Sequence, residues 1–373
     1  MRGVTCTILL LASSFTALAR DDPFSVAAVL RHERAFDRPH DIELHGDVAI
    51  VPGKGGSLAM VNVTDPAAPR LFWHRHDRNA LEEAETVLVT AGRLFLGTHD
   101  FHSIDLRNPR QPIFQGRVSD RRRITRINGM ARRGNTILAA SKHGWLDAFD
   151  VSDPAQPTLA GALNLRAEHQ VGNPHDVDLF REFAVVTDPA GFDRRKNPGK
   201  LTLVRVFDEA GVRLPEAQWK LAGKIVTTDL GGANRVQVSG HHAYVGASTR
   251  AQGGRLVVID VRDPTSPREV AIHPFAPDEK WGPNGLTIAG NVVFLAGGQT
   301  VEAIDISNPT KPSSLGAQSF PTILANAHPR YAGGGDSAHD LVYHDGHLYV
   351  TGQNDRCLLI LRIESKKIRK LVR

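Results

Sequence analysis

One strand-and-turn unit recurs along this chain and limits what it can fold into. In its fullest form it runs Leu256-Val257-Val258-Ile259-Asp260-Val261-Arg262-Asp263-Pro264-Thr265-Ser266-Pro267. A short apolar, β-branched run bounded by turn residues reads as a buried strand, and Asp-Pro opens a turn. Ala59 to Pro69 gives AMVNVTDPAAP, Ser103 to Pro112 gives SIDLRNPRQP, Asp147 to Pro157 gives DAFDVSDPAQP and Ala303 to Pro312 gives AIDISNPTKP. Each copy has Asp or Asn, then Pro, then a second Pro three residues later. The Asp or Asn side chain can bond the backbone two residues on, and Pro fixes φ at the next position, so every copy encodes the same turn. The turns begin at Asp65, Asn108, Asp153, Asp263 and Asn308, at intervals of 43, 45, 110 and 45 residues. The long gap holds two units, since Leu201 to Gly211 is a copy that has lost its prolines. A seventh unit ends at Leu358 to Ile363.

A period near 45 residues with several short strands per unit is the pattern of a propeller blade. The expected fold is all-β: one seven-bladed β-propeller of four-stranded blades spanning residues 23–364, with a basic tail at 365–373. Phe24 to Arg31 resembles the strand that follows each turn but has no turn of its own. The last unit has three strands and lacks a fourth. The N-terminal strand is therefore expected to complete the last blade, removing both open edges. The unit LVVID at Leu256 to Asp260, followed by its Asp-Pro turn, resembles the LVIVD repeat, a family of β-propeller repeats. That resemblance implies the fold and leaves activity open, because propellers host many functions. No segment has helical periodicity beyond two turns; residues 79–85 are the best short candidate.

The first nineteen residues read as a signal peptide, with Arg2, an apolar stretch from Val4 to Leu11, and Ala17-Leu18-Ala19 as the cleavage signal. The apolar run is too short to span a bilayer. The expected location is periplasmic or extracellular. Cleavage would remove Cys6, leaving Cys357 alone in an apolar run, a buried inert thiol with no disulfide partner. It would also lower the formal net charge of +5 by one. That charge is too small for nucleic-acid binding, and no aromatics interleave with the short basic runs. Arg121 to Arg123 and Arg194 to Lys196 read as solvated loops, and Lys366 to Arg373 as a frayed tail.

In alternating four-stranded blades, the loops between second and third strands and between blades share one face, here called the loop face. Long loops displayed from a rigid scaffold are where function usually sits. Where the innermost strands begin at that face, three blades show the same dipeptide: His40-Asp41, His175-Asp176 and His339-Asp340. The other blades offer Glu85, Asn128, Asn234-Arg235 and Asn284. Each histidine is in phase with the apolar residues of its strand, so these groups should ring the channel mouth. His328, Arg330 and Tyr331, followed by Gly333 to Gly335, read as a lid over it. His32, His74, His76, His99, His102, His143, His169 and His273 are also expected on the loop face.

Three readings follow. The His-Asp pairs cap their blades against neighbouring loops; or His40, His175 and His339 hold a divalent transition metal; or one histidine works as an acid–base group beside Arg235 or Glu85. The His-Asp dipeptide is also similar to one that opens strands in selenium-binding-type propellers, a copper-linked family. That family's cysteine motifs are absent, which puts a thiol-oxidising activity in doubt. The expected function is a monomeric, exported binding propeller whose partner is a small molecule, acidic glycan or protein. Asp41, Glu85, Asn128, Asp176, Asn234, Arg235, Asn284, His328, Arg330, Tyr331 and Asp340 would contact it. The alternative is a metal-dependent lyase or hydrolase acting on acidic sugars. There is no Gly-x-Ser-x-Gly elbow, phosphate-binding glycine loop or calcium loop.

Overall fold

The repeated turn forms as its residues dictate. In the computed structural model, which describes residues 22–90, 92–189, 198–249, 253–276, 282–325 and 337–373, all five Asp-Pro or Asn-Pro copies share one geometry. Asp65, Asn108, Asp153, Asp263 and Asn308 each accept the N–H two residues on with a side-chain oxygen at 3.0–3.1 Å. Each also accepts the N–H three residues on with its carbonyl at 2.9–3.1 Å. Without prolines, the fourth copy closes differently: Asp208 takes the Val212 N–H on its side chain at 2.8 Å.

Between the turns, the described residues form seven four-stranded antiparallel sheets. The innermost strands, blades one to seven, are Glu43–His45, Thr86–Thr90, Ile127–Arg133, Val177–Phe180, Arg235–Ser239, Gly285–Ala289 and Ala338–His344. Blade seven is completed by Phe24–Arg31, paired antiparallel with Cys357–Ile363. Every blade carries a register shift in the pairing of its third and outer strands, as at Met60/Val61 and Val258/Ile259. The N-terminal strand has the corresponding shift, between Val26 and Ala28. It therefore occupies the outer-strand position in geometry as well as in sequence, and the expected ring closure is what the chain adopts.

The core is divided among the blade interfaces. Seven apolar clusters are present among the described residues, each drawing on two adjacent blades. This explains why a third strand can carry consecutive apolar residues rather than alternating ones: both of its faces are covered, and Leu256 to Ile259 are all fully buried. Outer strands such as Arg70–His76 are partly exposed and carry charged residues among their apolar ones, which protects the rim from edge-to-edge pairing.

Two sequence expectations about helices need correction. Residues 79–85 are not helical. The Asp77 carboxylate takes the Asn79 and Ala80 N–H groups, and Glu83 adopts φ 56°, so a single turn forms and stops. Lys366–Leu371, expected to fray, is a short helix whose N-terminus is capped by Ser365. Its Ile368 is fully buried against the core between blades six and seven. The Leu371 carbonyl accepts the Asn291 N–H at 2.9 Å. Gly290 beside it has φ 54°, and a Cβ there would lie 2.4 Å from that carbonyl oxygen. Cys357 is fully buried and free, and burial pushes its thiol up to about 12. Met1 to Ala19, His328, Arg330 and Tyr331 lie outside the described residues, as do Arg194 to Lys196.

Candidate functional site

Seven residues lie at or just before the starts of the innermost strands: His40, Glu85, Asn128, His175, Asn234, Asn284 and His339. Five of their N–H groups bond the carbonyls of their own second strands in the same way, for example His40 to Pro52 and Asn234 to Gly246. Asn128 and His339 sit at register shifts of their strands. A second layer lies one residue further on: Asp41, Thr86, Gly129, Asp176, Arg235, Gly285 and Asp340. Except His175, every side-chain-bearing member of the two layers is buried.

The His-Asp pairs link each blade to the next. His40 Nδ1–H donates to the Glu85 carbonyl at 2.7 Å, His175 Nδ1–H to that of Asn234 at 2.8 Å, and His339 Nδ1–H to that of His40 at 2.8 Å. Because a carbonyl only accepts, Nδ1 carries the proton in each ring. The aspartates make the complementary bond. Asp41 accepts the Val87 N–H at 3.0 Å and Asp176 the Val236 N–H at 2.9 Å. Further down the channel, Glu43, Asp178 and Gln237 repeat this with Val89, Val238 and Ile288. Gly129 and Gly285 leave room for these carboxylates: a Cβ on Gly129 would lie 2.1 Å from an Asp176 oxygen.

Asp340 departs from the pattern. It accepts Arg235 Nη2 at 2.7 Å, while Asp41 lies 3.7 Å from the same nitrogen. Burial pushes Asp340 well above the usual carboxylate range, with Asp41 adding to the effect. Burial would raise Asp41 too, but Arg235, a hydrogen bond from Asp340 and the Val87 N–H hold it below. One proton shared by two carboxyls leaves a single negative charge against one guanidinium. A cavity of about 630 Å³ runs from this layer along the channel past Glu43, Asp178, Gln237 and Tyr343. Burial pushes Asp176 up to about 7 and Glu43 up to about 8 along its wall.

Above the ring, on the loop face, three blades converge on Glu85. Arg126, just before the innermost strand of blade three, donates through Nε to Glu85 Oε1 and lies 2.6 Å from Glu83 through Nη2. Lys54 comes from the loop between the second and third strands of blade one, Val48–Gly53 and Ser57–Asn62, and Lys142 from the same loop of blade three. Their ammonium groups stand 3.7 Å from Glu85 Oε1 and Oε2, respectively. Both lysine side chains are only 12% exposed, and Glu85 is fully buried. Burial would raise the Glu85 pKa, but Lys54, Lys142 and Arg126 hold it well below the usual range. Burial lowers Lys54, and lowers Lys142 to about 8, each against the pull of Glu85.

The ring also contains buried polar atoms that find no hydrogen-bond partner among the described residues. These are both amide atoms of Asn128, Oδ1 of Asn234, Oε2 of Glu85 and, in the layer below, Nε of Arg235. Asn234 does donate to Asn284 Oδ1 at 3.0 Å.

The structure brings together some of the residues expected to act and separates others. His40 and His339 are in ring contact, with centroids 4.0 Å apart and planes tilted by 40°. Burial lowers both well below the usual histidine range, and Lys54 and Arg235 push in the same direction. His175 belongs to blade four and bonds towards blade five. Among the described residues, no group of three or more His, Cys, Asp and Glu is placed to hold a metal ion. Other loop-face histidines serve local contacts: His99 with the Thr125 carbonyl, His76 with Asp37, and His273 with Glu302. Lys54, Arg126 and Lys142 escaped the sequence reading. Their one visible signal is a lysine in the same loop of two blades, Lys54 one residue and Lys142 two residues before a glycine.

No helix among the described residues is long and apolar enough to cross a membrane. The LVIVD repeat family matches residues 134–164, 230–273 and 284–317. No curated protein matches the chain. Among solved structures, the WD40 propeller domain of Doa1 superposes with a TM-score of 0.61 at 10% identity, covering 92% of this chain and 98% of that one. The propeller domain of Cps50 (Swd1) from Myceliophteria thermophila gives 0.60 at 9% identity, covering 91% and 100%. The computationally designed Ika8 protein gives 0.52 at 9% identity, covering 89% and 98%. At such identities the likeness is one of fold. With matched repeats in blades three, five and six of a closed seven-bladed ring, the chain is an LVIVD-repeat β-propeller.

Proposed function

We propose that this protein binds a polar ligand at the loop-face mouth of its channel. The observation that carries the reading is Asn128, fully buried in the ring with neither amide atom hydrogen-bonded among the described residues. An unsatisfied buried polar group costs about 1–3 kcal/mol. Oδ1 of Asn234 and Oε2 of Glu85 are in the same condition nearby. Groups left so in a rigid frame are satisfied when a ligand supplies the missing donors and acceptors. The reading includes export, supported by Arg2, the apolar Val4 to Leu11 stretch and Ala17-Leu18-Ala19; mature protein starting at Arg20 would bear this out.

Asn128→Leu, which keeps the volume and removes the amide, tests the ligand role. The expected result is a melting temperature equal to or above wild type, because an unpartnered group is lost. A clear fall would show that Asn128 serves the fold and would count against the proposal.

A further inference from the structure

We infer that the ligand taken at this mouth is a small monocarboxylate carrying hydroxyl groups, held by Lys54 and Lys142 with Arg126 behind them. The inference rests on the ligand reading above and adds the chemical class.

Charge is the first argument. Three cations, Lys54, Arg126 and Lys142, face two carboxyl groups, Glu83 and Glu85. With the histidines neutral, one positive charge is left over in a setting that is largely shielded from water. Buried charge is retained where it is paired, and a single carboxylate supplies the missing charge.

Geometry is the second. Glu85 and Glu83 take up the guanidinium of Arg126, through Nε and Nη2 respectively. Neither lysine is held in the same way: both ammonium groups stand 3.7 Å from Glu85, beyond hydrogen-bond length. Each carries three donors. Two such groups approach one buried carboxylate from the corresponding loops of blades one and three. Glu85 gathers them at the mouth without saturating them, leaving donors for an arriving oxyanion. The third argument is the neutral side of the site. Asn128 and Asn234 present an amide donor and two amide acceptors without partners, which suit hydroxyl groups and do not call for a second charge.

Glucuronate, its methyl ester and glucose are suitable probes of the full-length protein, since they share a ring and differ in charge. Thermal shift and calorimetric titration should show binding of glucuronate, with the ester and glucose weaker by about tenfold or more. Binding should weaken as salt rises. Lys54→Met and Lys142→Met should each reduce glucuronate affinity about tenfold while leaving the melting temperature of the unliganded protein unchanged or higher, because each removes excess buried charge. The double variant guards against one lysine replacing the other.

Equal binding of ester and acid would overturn the carboxylate class and leave the ligand site standing. Lysine variants that melt lower without ligand would overturn the inference by showing that both lysines serve to satisfy Glu85. The absence of binding by glucuronate and by acetate, the minimal monocarboxylate, would overturn it too. A fall in stability of Asn128→Leu would instead remove the site itself.

Discussion

Two adjacent layers of one channel are built from the same seven strand starts and treat their polar groups in opposite ways. In the lower layer, carboxylates are committed to the frame. Asp176 accepts the N–H groups of Val177 and Val236, Asp41 those of Ile42 and Val87, and Asp340 accepts from Leu341 and Arg235. In the upper layer, neither amide atom of Asn128 has a partner among the described residues, and Lys54 and Lys142 stand outside hydrogen-bond distance of Glu85. Burial is alike in both layers apart from the half-buried His175, and among the described residues satisfaction is more complete in the lower one, where Arg235 Nε is the side-chain atom left over. Buried polar groups that bond across blade boundaries hold the ring closed. Among the described residues, buried side-chain atoms without partners also occur singly elsewhere, as at Ser103, Thr202 and Gln353, but at the mouth Asn128, Asn234 and Glu85 bring several into one ring, and such groups call for an explanation.

Arg235 offers the strongest way to break this contrast. It is the one basic side chain of the second layer, and it reaches from blade five to Asp340 of blade seven and towards Asp41 of blade one. Arg235→Met would leave two buried carboxyls without their counter-charge. Breaking a buried pair this way costs about 3–5 kcal/mol, to be read by chemical denaturation. By contrast, Lys54→Met in the upper layer should cost nothing. If both variants behaved alike, the distinction between the layers would fall.

Gly129→Ala should be next in size. The added Cβ would lie 2.1 Å from an Asp176 oxygen and 2.8 Å from the Asp176 Cα, and the second of these atoms cannot move without its strand. Overpacking of this kind costs about 1–3 kcal/mol. A melting temperature equal to wild type would show that the blade three–four seam is looser than these distances require.

How far this contrast could be read from sequence differs between the layers. The turn residues and the near-45-residue period specified blade number and boundaries, because each turn is local chemistry repeated five times. The ring positions were legible too, since His40, His175 and His339 stand in phase with apolar strand residues. The dipeptide could not say that His339 bonds to the backbone of His40, which is brought beside it only when the N-terminal strand closes the ring. Nor could it single out Lys54 and Lys142, ordinary loop lysines until blades one and three place them on either side of Glu85. The docked C-terminal helix was missed for a similar reason: Lys366 to Arg373 is basic in composition, and only Ile368, Leu371 and Val372 meet the core.

The histidines sharpen the comparison at smaller scale, because they belong to the upper layer yet bond like the lower one. Each His→Ala change should cost about 1 kcal/mol, the loss of one buried hydrogen bond. His40 and His339 are in ring contact, and His339 bonds the His40 carbonyl, so their double variant should deviate from additivity by about 0.5 kcal/mol or more. His175 with His40 should add within about 0.5 kcal/mol. Equal non-additivity for all pairs would mean that the three meet at a common ligand and are not separate links between blades.

The smallest expected effect is a change in slope. Burial pushes Glu43 up to about 8, the nearby charge of Asp41 adds to the shift, and the Val89 N–H opposes it. The unfolded value is about 4.3. Between the two, the folded chain keeps a proton that the unfolded chain has released, so the folded state is favoured at the lower end and loses that advantage as pH rises towards 8. Asp176 and Asp178 are shifted in the same direction by burial. His40 and His339, lowered by burial, act the opposite way up to the unfolded histidine value of about 6.5. The wild-type decline should therefore show between about pH 6.5 and pH 8. Glu43→Gln removes one of these titrations and keeps an acceptor for the Val89 N–H. Its cost at pH 5 should stay below about 1 kcal/mol, and its decline towards pH 8 should be shallower than that of wild type. Melting temperatures of both proteins across that range provide the test. Parallel curves would mean that Glu43 is ionised in the folded protein throughout, and that the channel wall below the second layer is wet enough to hold its charge.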